Sequence, residues 1–176
     1  MKHLLILQLC IVNLVGAVGL VWAWPYVQTV FLTDVSGISY AIVALWAFGL
    51  TCVAFRAVKV SRLLDAVKVM NYQTFIRLNQ RSRKLDAKNQ HLSSIAGWCA
   101  LLGMFGTVVG LIAMAISLKD NLGGVENLGA AIAQAFEGYG VALATTAVGI
   151  VAGGWLEVNA LFIDTASKCV AADLSK

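Results

Sequence analysis

Charged side chains are scarce in this sequence: Asp, Glu, Lys and Arg make up 12% of the 176 residues, against 60% apolar residues. A soluble domain carries roughly 25% charge, so this composition excludes a water-covered globule and requires lipid over much of the surface. Proline occurs once, at Pro25, and histidine twice. Cys10, Cys52 and Cys99 fall inside apolar segments and Cys169 near the C-terminal end. They form no C-x-x-C pair or His cluster, so they read as small buried hydrophobes and no metal or cofactor is expected. No His-rich, Asp-rich or nucleophile-plus-base grouping sits near the end of an apolar run, which argues against an enzyme with catalytic residues. There is likewise no inverted repeat, pair of broken helices or cluster of polar groups at one depth, which argues against a small-molecule transporter. The formal net charge of +4 does not point to nucleic acid, because the basic residues stand beside apolar runs where anionic headgroups account for them.

What the chain does have is four apolar stretches, each long enough to cross a bilayer, which takes about 20 residues. They run from Leu4 to Trp24 or beyond, Ile38 to Val58, Ile95 to Leu118, and roughly Phe136 to Leu156. The first carries Gln8 and Asn13 but no charge before Asp34, and Pro25 falls near its end, where a kink is tolerable. The run is too long for a signal peptide, although Ala23 lies near a plausible cleavage region, so a retained first helix is expected. Thr33 to Gly37 reads as a tight turn. Arg56, Lys59, Arg62, Lys68, Arg77, Arg81, Arg83, Lys84 and Lys88 hold most of the 13 basic residues and flank the second and third spans. This bias places the segment, and with it both termini, in the cytoplasm. The connections on the other side, Thr33 to Gly37 and Lys119 to Asn127, carry one basic residue between them, Lys119.

No glycine or proline occurs between Gly49 and Gly97, and apolar residues recur at Val60, Leu64, Val67, Leu78, Leu85 and Leu92. The basic segment is therefore expected to be helical, a hairpin turning between Asn79 and Asn89 that extends the second and third spans. Its charges read as a topology signal, with a specific binding patch as the alternative. The chain thus divides into spans 1 and 2 (1–58), a basic helical cytoplasmic segment (59–94), spans 3 and 4 (95–160) and a cytoplasmic tail (161–176): an all-α polytopic membrane protein of four transmembrane helices with a helical extension. Trp22, Trp24, Tyr26, Tyr40, Trp98 and Trp155 lie near predicted span ends, where aromatic belts sit.

Glycine is dense in the third and fourth spans. Gly103, Thr107, Gly110 and Met114 fall at i, i+4, i+7 and i+11, and Gly106 lies between them. In the fourth span Ala142, Thr146, Gly149 and Gly153 share one stripe, with Glu157 on the same line about 16 Å beyond Thr146. Small residues let membrane helices approach closely, so Gly103, Gly106, Gly110, Gly149 and Gly153 read as packing positions.

The runs Leu102 to Gly110 and Ala142 to Gly149 resemble the MotA/TolQ/ExbB family, two of whose spans carry a leucine-glycine-x-x-glycine-threonine-valine-x-glycine run and an alanine-leucine run leading through threonine to glycine. The resemblance covers Ile95 to Ala160. It implies a proton-channel subunit of the bacterial inner membrane, five copies surrounding two single-span partners of the MotB/ExbD/TolR type whose aspartate carries the proton. It also implies that Thr107 and Thr146 face the central pore. On residue chemistry alone, the same threonines bond to a carbonyl one turn back or cross-link helices. Thr145 points elsewhere on the helix and is a weaker path candidate. Glu157 is aligned for a pore mouth, with a snorkelling headgroup-level acid as the alternative. Glu137, nine residues before Thr146, faces the opposite side and reads as interfacial. The chain departs from its TolQ and ExbB relatives in having Val141 where they have glutamate and Gly153-Gly154-Trp155 after the second motif. The coupling ion is thus proton or sodium, and a scaffold that only packs helices is the alternative outside the family.

Overall fold

The computed structural model describes residues 2–34, 37–67, 72–121 and 128–174. They form five helices: α1 (Lys2–Trp22), α2 (Trp24–Thr33), α3 (Ile38–Val67), α4 (Tyr72–Asn121) and α5 (Leu128–Leu174). Four stretches, Leu5–Trp22, Ile38–Arg62, Gln90–Lys119 and Gly129–Cys169, are long and apolar enough to cross a membrane. The chain is an all-α multi-pass membrane protein.

Pro25 divides the first helical path. It lacks an N–H, so the helical bond it would donate is missing, and it sits in the first turn of α2, where that loss matters least. The path does not otherwise stop: Ala23 donates to the Gly19 carbonyl at 2.9 Å, and Val27 to the Ala23 carbonyl at 3.0 Å. At the far end Asp34 is buried, and its carboxylate accepts the Ser39 backbone N–H at 2.8 Å. This satisfies a donor at the start of α3 that has no helical partner. Gly37, beside it, has φ of +69°, a conformation that a Cβ would strain.

Three expectations from the sequence are corrected. The hairpin turn placed between Asn79 and Asn89 is not there, because α4 runs unbroken from Tyr72 through that segment into the third span. Asn79 to Asn89 holds no glycine or proline, and its four basic residues, with Gln80, Leu85 and Ala87, favour a helix. The chain instead leaves α3 at Val67 and enters α4 at Tyr72, and 68–71 lie outside the described residues. The helix of the fourth span begins not near Phe136 but at Leu128, and it continues to Leu174. Residues 161–174 are therefore an extension of α5, tied in by the buried Ile163 and Ser167, and not a separate tail.

The core is a three-helix contact of α3, α4 and α5. Ile42, Val53 and Val60 from α3, Leu92, Ala96 and Cys99 from α4, and Ala152, Leu156, Ala160 and Ile163 from α5 are buried together. Gly49 of α3 sits against Leu156 and Ile95, and a side chain there would have to push the Leu156 methyl groups aside. At about 1.5 Å per residue, α4 and α5 each exceed 70 Å, more than twice the ~30 Å hydrocarbon layer, so both project well beyond it.

Helix α1 is attached differently. Its buried contacts Leu5 and Leu9 join the core, but the joint is polar. The Asn13 amide donates to the Asn159 side-chain oxygen at 2.9 Å and to the Leu9 carbonyl at 2.8 Å. The Trp155 indole N–H donates back to Asn13 Oδ1 at 3.1 Å, and the Asn159 amide donates to the Trp155 carbonyl at 2.9 Å. Gly16 gives the Trp155 ring its space, since any Cβ there would overlap it, and Trp46 packs edge-on at 5.2 Å. Trp155 is thus turned inward and does not serve the aromatic belt that its position suggested.

Interhelical hydrogen bonds in membrane proteins contribute about 0.6 kcal/mol each, up to about 1.7. Asn159→Leu removes one such bond and the acceptor that holds Asn13 in place. Thermal unfolding in mild detergent is expected to show a loss of roughly 0.6–1.7 kcal/mol, and no loss would mean that α1 is held by packing alone.

Candidate functional site

Helices α4 and α5 make the most extensive contact in the molecule, running antiparallel with their backbones nearly touching. Going along α4, Ala96 faces Gly153, Gly103 faces Gly149, Gly106 faces Thr145, Gly110 faces Ala142 and Met114 faces Gly138. A Cβ on Gly149 would lie 2.7 Å from the Gly103 Cα, and one on Gly153 would lie 2.8 Å from the Ala96 carbonyl oxygen. A Cβ on Gly110 would fall 2.6 Å from that of Ala142. None of these positions accepts a larger residue without parting the helices. Gly97 and Gly154, in contrast, have nothing within 4 Å of an added Cβ.

This closeness brings Thr107 and Thr146 together, 39 positions apart in the chain. Their hydroxyls contact each other directly, and both donate toward the Gly103 carbonyl, at 3.3 Å from Thr107 and 3.1 Å from Thr146. Thr146 also reaches the Ala142 carbonyl at 3.2 Å. Both threonines are half-buried, in the seam between the helices and open on one side. Each hydroxyl has one proton and two lone pairs. Their protons are taken up by carbonyls and by each other, and lone pairs remain to accept a bond from a visiting donor.

Thr145, included among the path candidates on sequence, occupies a different place. It is fully buried on the closed side against Gly106, and its hydroxyl donates to the Ala142 and Val141 carbonyls at 3.0 and 3.2 Å. Neighbouring helix positions point about 100° apart, which is enough to put one threonine on the open side and the other inside.

Glu157 lies on the same seam, nearer the basic segment. The Ser93 hydroxyl donates to its carboxylate, 3.0 Å from each oxygen. Glu137 is exposed on α5 toward the other end of the seam. Among the described residues, no three His, Cys, Asp or Glu side chains come together as a metal site.

Sequence reasoning missed Ser93, Asn159 and the inward role of Trp155. Asn13 was visible as a lone amide in an apolar run, but its partner lies 146 positions away. Ser93 carried no signal of its own, because its meaning depends on the register of α4 against α5.

Four apolar helices long enough to cross a membrane, two of them meeting along a glycine-packed seam in which two hydroxyls face each other, define a multi-pass membrane protein. The sequence model of the MotA/TolQ/ExbB proton channel family matches residues 53–161, more than half of the chain, and the chain belongs to that family. The matched region holds the end of α3, all of α4 and α5 through Leu161, whereas α1 and α2 precede it. Neither the curated proteins nor the solved structures compared with the chain give a match.

Overpacking a tight contact costs about 1–3 kcal/mol. Gly149→Val is expected to lower the detergent melting temperature by that equivalent, while Gly97→Ala leaves it unchanged. Equal effects of the two would contradict the seam as described.

Proposed function

We propose that this chain is the ring-forming subunit of an ion-driven motor. Five copies surround the membrane helices of a single-span partner, and the open side of the α4–α5 seam lines the pore. The observation that carries this reading is the Thr107–Thr146 hydroxyl pair, held half-open on glycine-packed helices inside the family-matched region. A carboxylate supplied by the partner is costly at mid-membrane unless polar groups meet it when ionised. The free lone pairs of a ring of threonine pairs accept its proton-bearing O–H when it is neutral. Their hydroxyls turn to donate when it is charged. Rotation of one ring against the other carries the carboxylate from one pair to the next.

The translocated ion in this reading is a proton, driven by about 2.3 kcal/mol per charge per 100 mV. The concentration of basic residues between Arg56 and Lys88 supports a cytoplasmic placement of that segment and of both termini. The setting is a bacterial inner membrane, with lipid covering exposed side chains such as Val21, Trp22 and Leu32. No soluble cofactor or nucleic acid enters the cycle.

Native mass spectrometry of the chain co-expressed with its single-span partner is expected to give five copies plus two. A monomer, or a ring without partner, removes the carboxylate and leaves a packing scaffold. In proteoliposomes, Thr107→Val with Thr146→Val keeps the shape and removes both hydroxyls. A hydrogen bond to a charged group contributes about 1.5–3 kcal/mol, so proton flux should fall at least roughly tenfold. Unchanged flux would refute the pore assignment, and flux that requires sodium would reassign the ion.

A further inference from the structure

We infer that Ser93 and Glu157 form a second ion-binding station on the α4–α5 seam, where the carboxylate takes up and releases the translocated proton and Ser93 holds it in position. This rests on the reading of the seam as the ion path.

Three observations lead there. The first is alignment. Glu157 follows Thr146 by 11 positions and Ser93 precedes Thr107 by 14, which at 100° per residue turns them only about 20° and 40° from the threonines. The hydroxyl pair and the serine–carboxylate pair therefore lie on one face of the helix pair, separated by about 16 Å along α5 and about 21 Å along α4. The second is orientation. A snorkelling acid extends along its own helix toward the headgroups. Glu157 reaches across to the other helix instead, where the Ser93 hydroxyl sits 3.0 Å from both of its oxygens. The third is what lies beside it. Gly97, one turn from Ser93, and Gly154, one turn from Glu157, leave open space next to the station. In addition, Glu157 is the only carboxylate of α4 from Gln90 to Lys119 and of α5 from Gly138 to Ile163.

The chemistry balances without any co-reactant. Hydronium on the basic-segment side gives a proton to one Glu157 oxygen: an O–H bond of hydronium breaks, leaving water, and the carboxyl O–H bond forms, while the Ser93 hydroxyl turns to the other oxygen. Release breaks the carboxyl O–H bond, and a water molecule takes the proton as hydronium, restoring the carboxylate. The symmetric placement of Ser93 lets either oxygen take the proton, so Ser93 is a positioning residue and Glu157 the binding group.

The test is proton flux through the chain and its partner in proteoliposomes under an imposed potential, with native mass spectrometry to confirm that each variant assembles. Glu157→Gln is expected to lower flux about tenfold or more, as loss of a charged hydrogen-bonded group does. Ser93→Ala should give a smaller loss, and Ser93→Thr, which keeps the hydroxyl, should restore wild-type flux. If Thr107→Val with Thr146→Val lowers flux while Glu157→Gln and Ser93→Ala do not, the station is refuted and the pore reading stands. A loss in Ser93→Ala that Ser93→Thr fails to restore would refute the positioning role. A fully assembled wild-type complex that carries no ion current would overturn both readings together.

Discussion

The structure depends on how near the α4 and α5 backbones come to one another. In lipid there is no hydrophobic drive to press two apolar helices together, so association relies on dispersion and hydrogen bonds, both of which fall off steeply with distance. Gly103 against Gly149 sets the spacing, with Gly110 against Ala142 and Gly153 against the Ala96 carbonyl on either side. A single methyl at any of these contacts pries the helices apart by the distance over which a hydrogen bond is made or lost. The hydroxyls of Thr107 and Thr146 then no longer meet, and the short Ser93 side chain no longer reaches Glu157. Packing and chemistry along this seam are one constraint.

The seam also separates two kinds of polar group. Thr145 spends its hydroxyl on two carbonyls of its own helix and is sealed against Gly106. That is what a buried polar group in an apolar surrounding has to do. Thr107 and Thr146 also bond to backbone, but each keeps lone pairs on the open side, so they can respond to a charge without leaving any group unsatisfied when none is present. The glycine spacing decides which of the two adjacent threonines is structural and which is available.

Much of this was legible in the sequence because it follows from period. The stripes of Gly103, Thr107 and Gly110 and of Ala142, Thr146 and Gly149 could be read at 3.6 residues per turn, and the four spans from the lengths of the apolar runs. What was not legible depends on contacts between distant segments. Helix α5 runs on to Leu174 because Ile163 and Ser167 find cover, which no local pattern shows. Residues 68–71, between α3 and α4, include no glycine or proline, so the longest polar stretch drew the turn into what is unbroken helix. Ser93 and Asn159 look like ordinary span-end residues until the register of the hairpin sets one opposite Glu157 and the other opposite Asn13.

That register gives the first helix a role the family match does not supply, since α1 lies ahead of the matched residues. Trp155 and Asn159 lie two positions on either side of Glu157, so they project from the far side of the same two turns of α5. There they are tied to Asn13 by two hydrogen bonds across the helix gap and packed over Gly16. If α5 rolled about its axis enough to carry Glu157 away from Ser93, it would drag Asn159 and Trp155 off Asn13 and take away the partners of both side-chain amide oxygens and of the indole N–H, which is costly in an apolar setting. Helix α1 therefore grips, from the far side, the stretch of α5 whose carboxylate meets Ser93 on α4.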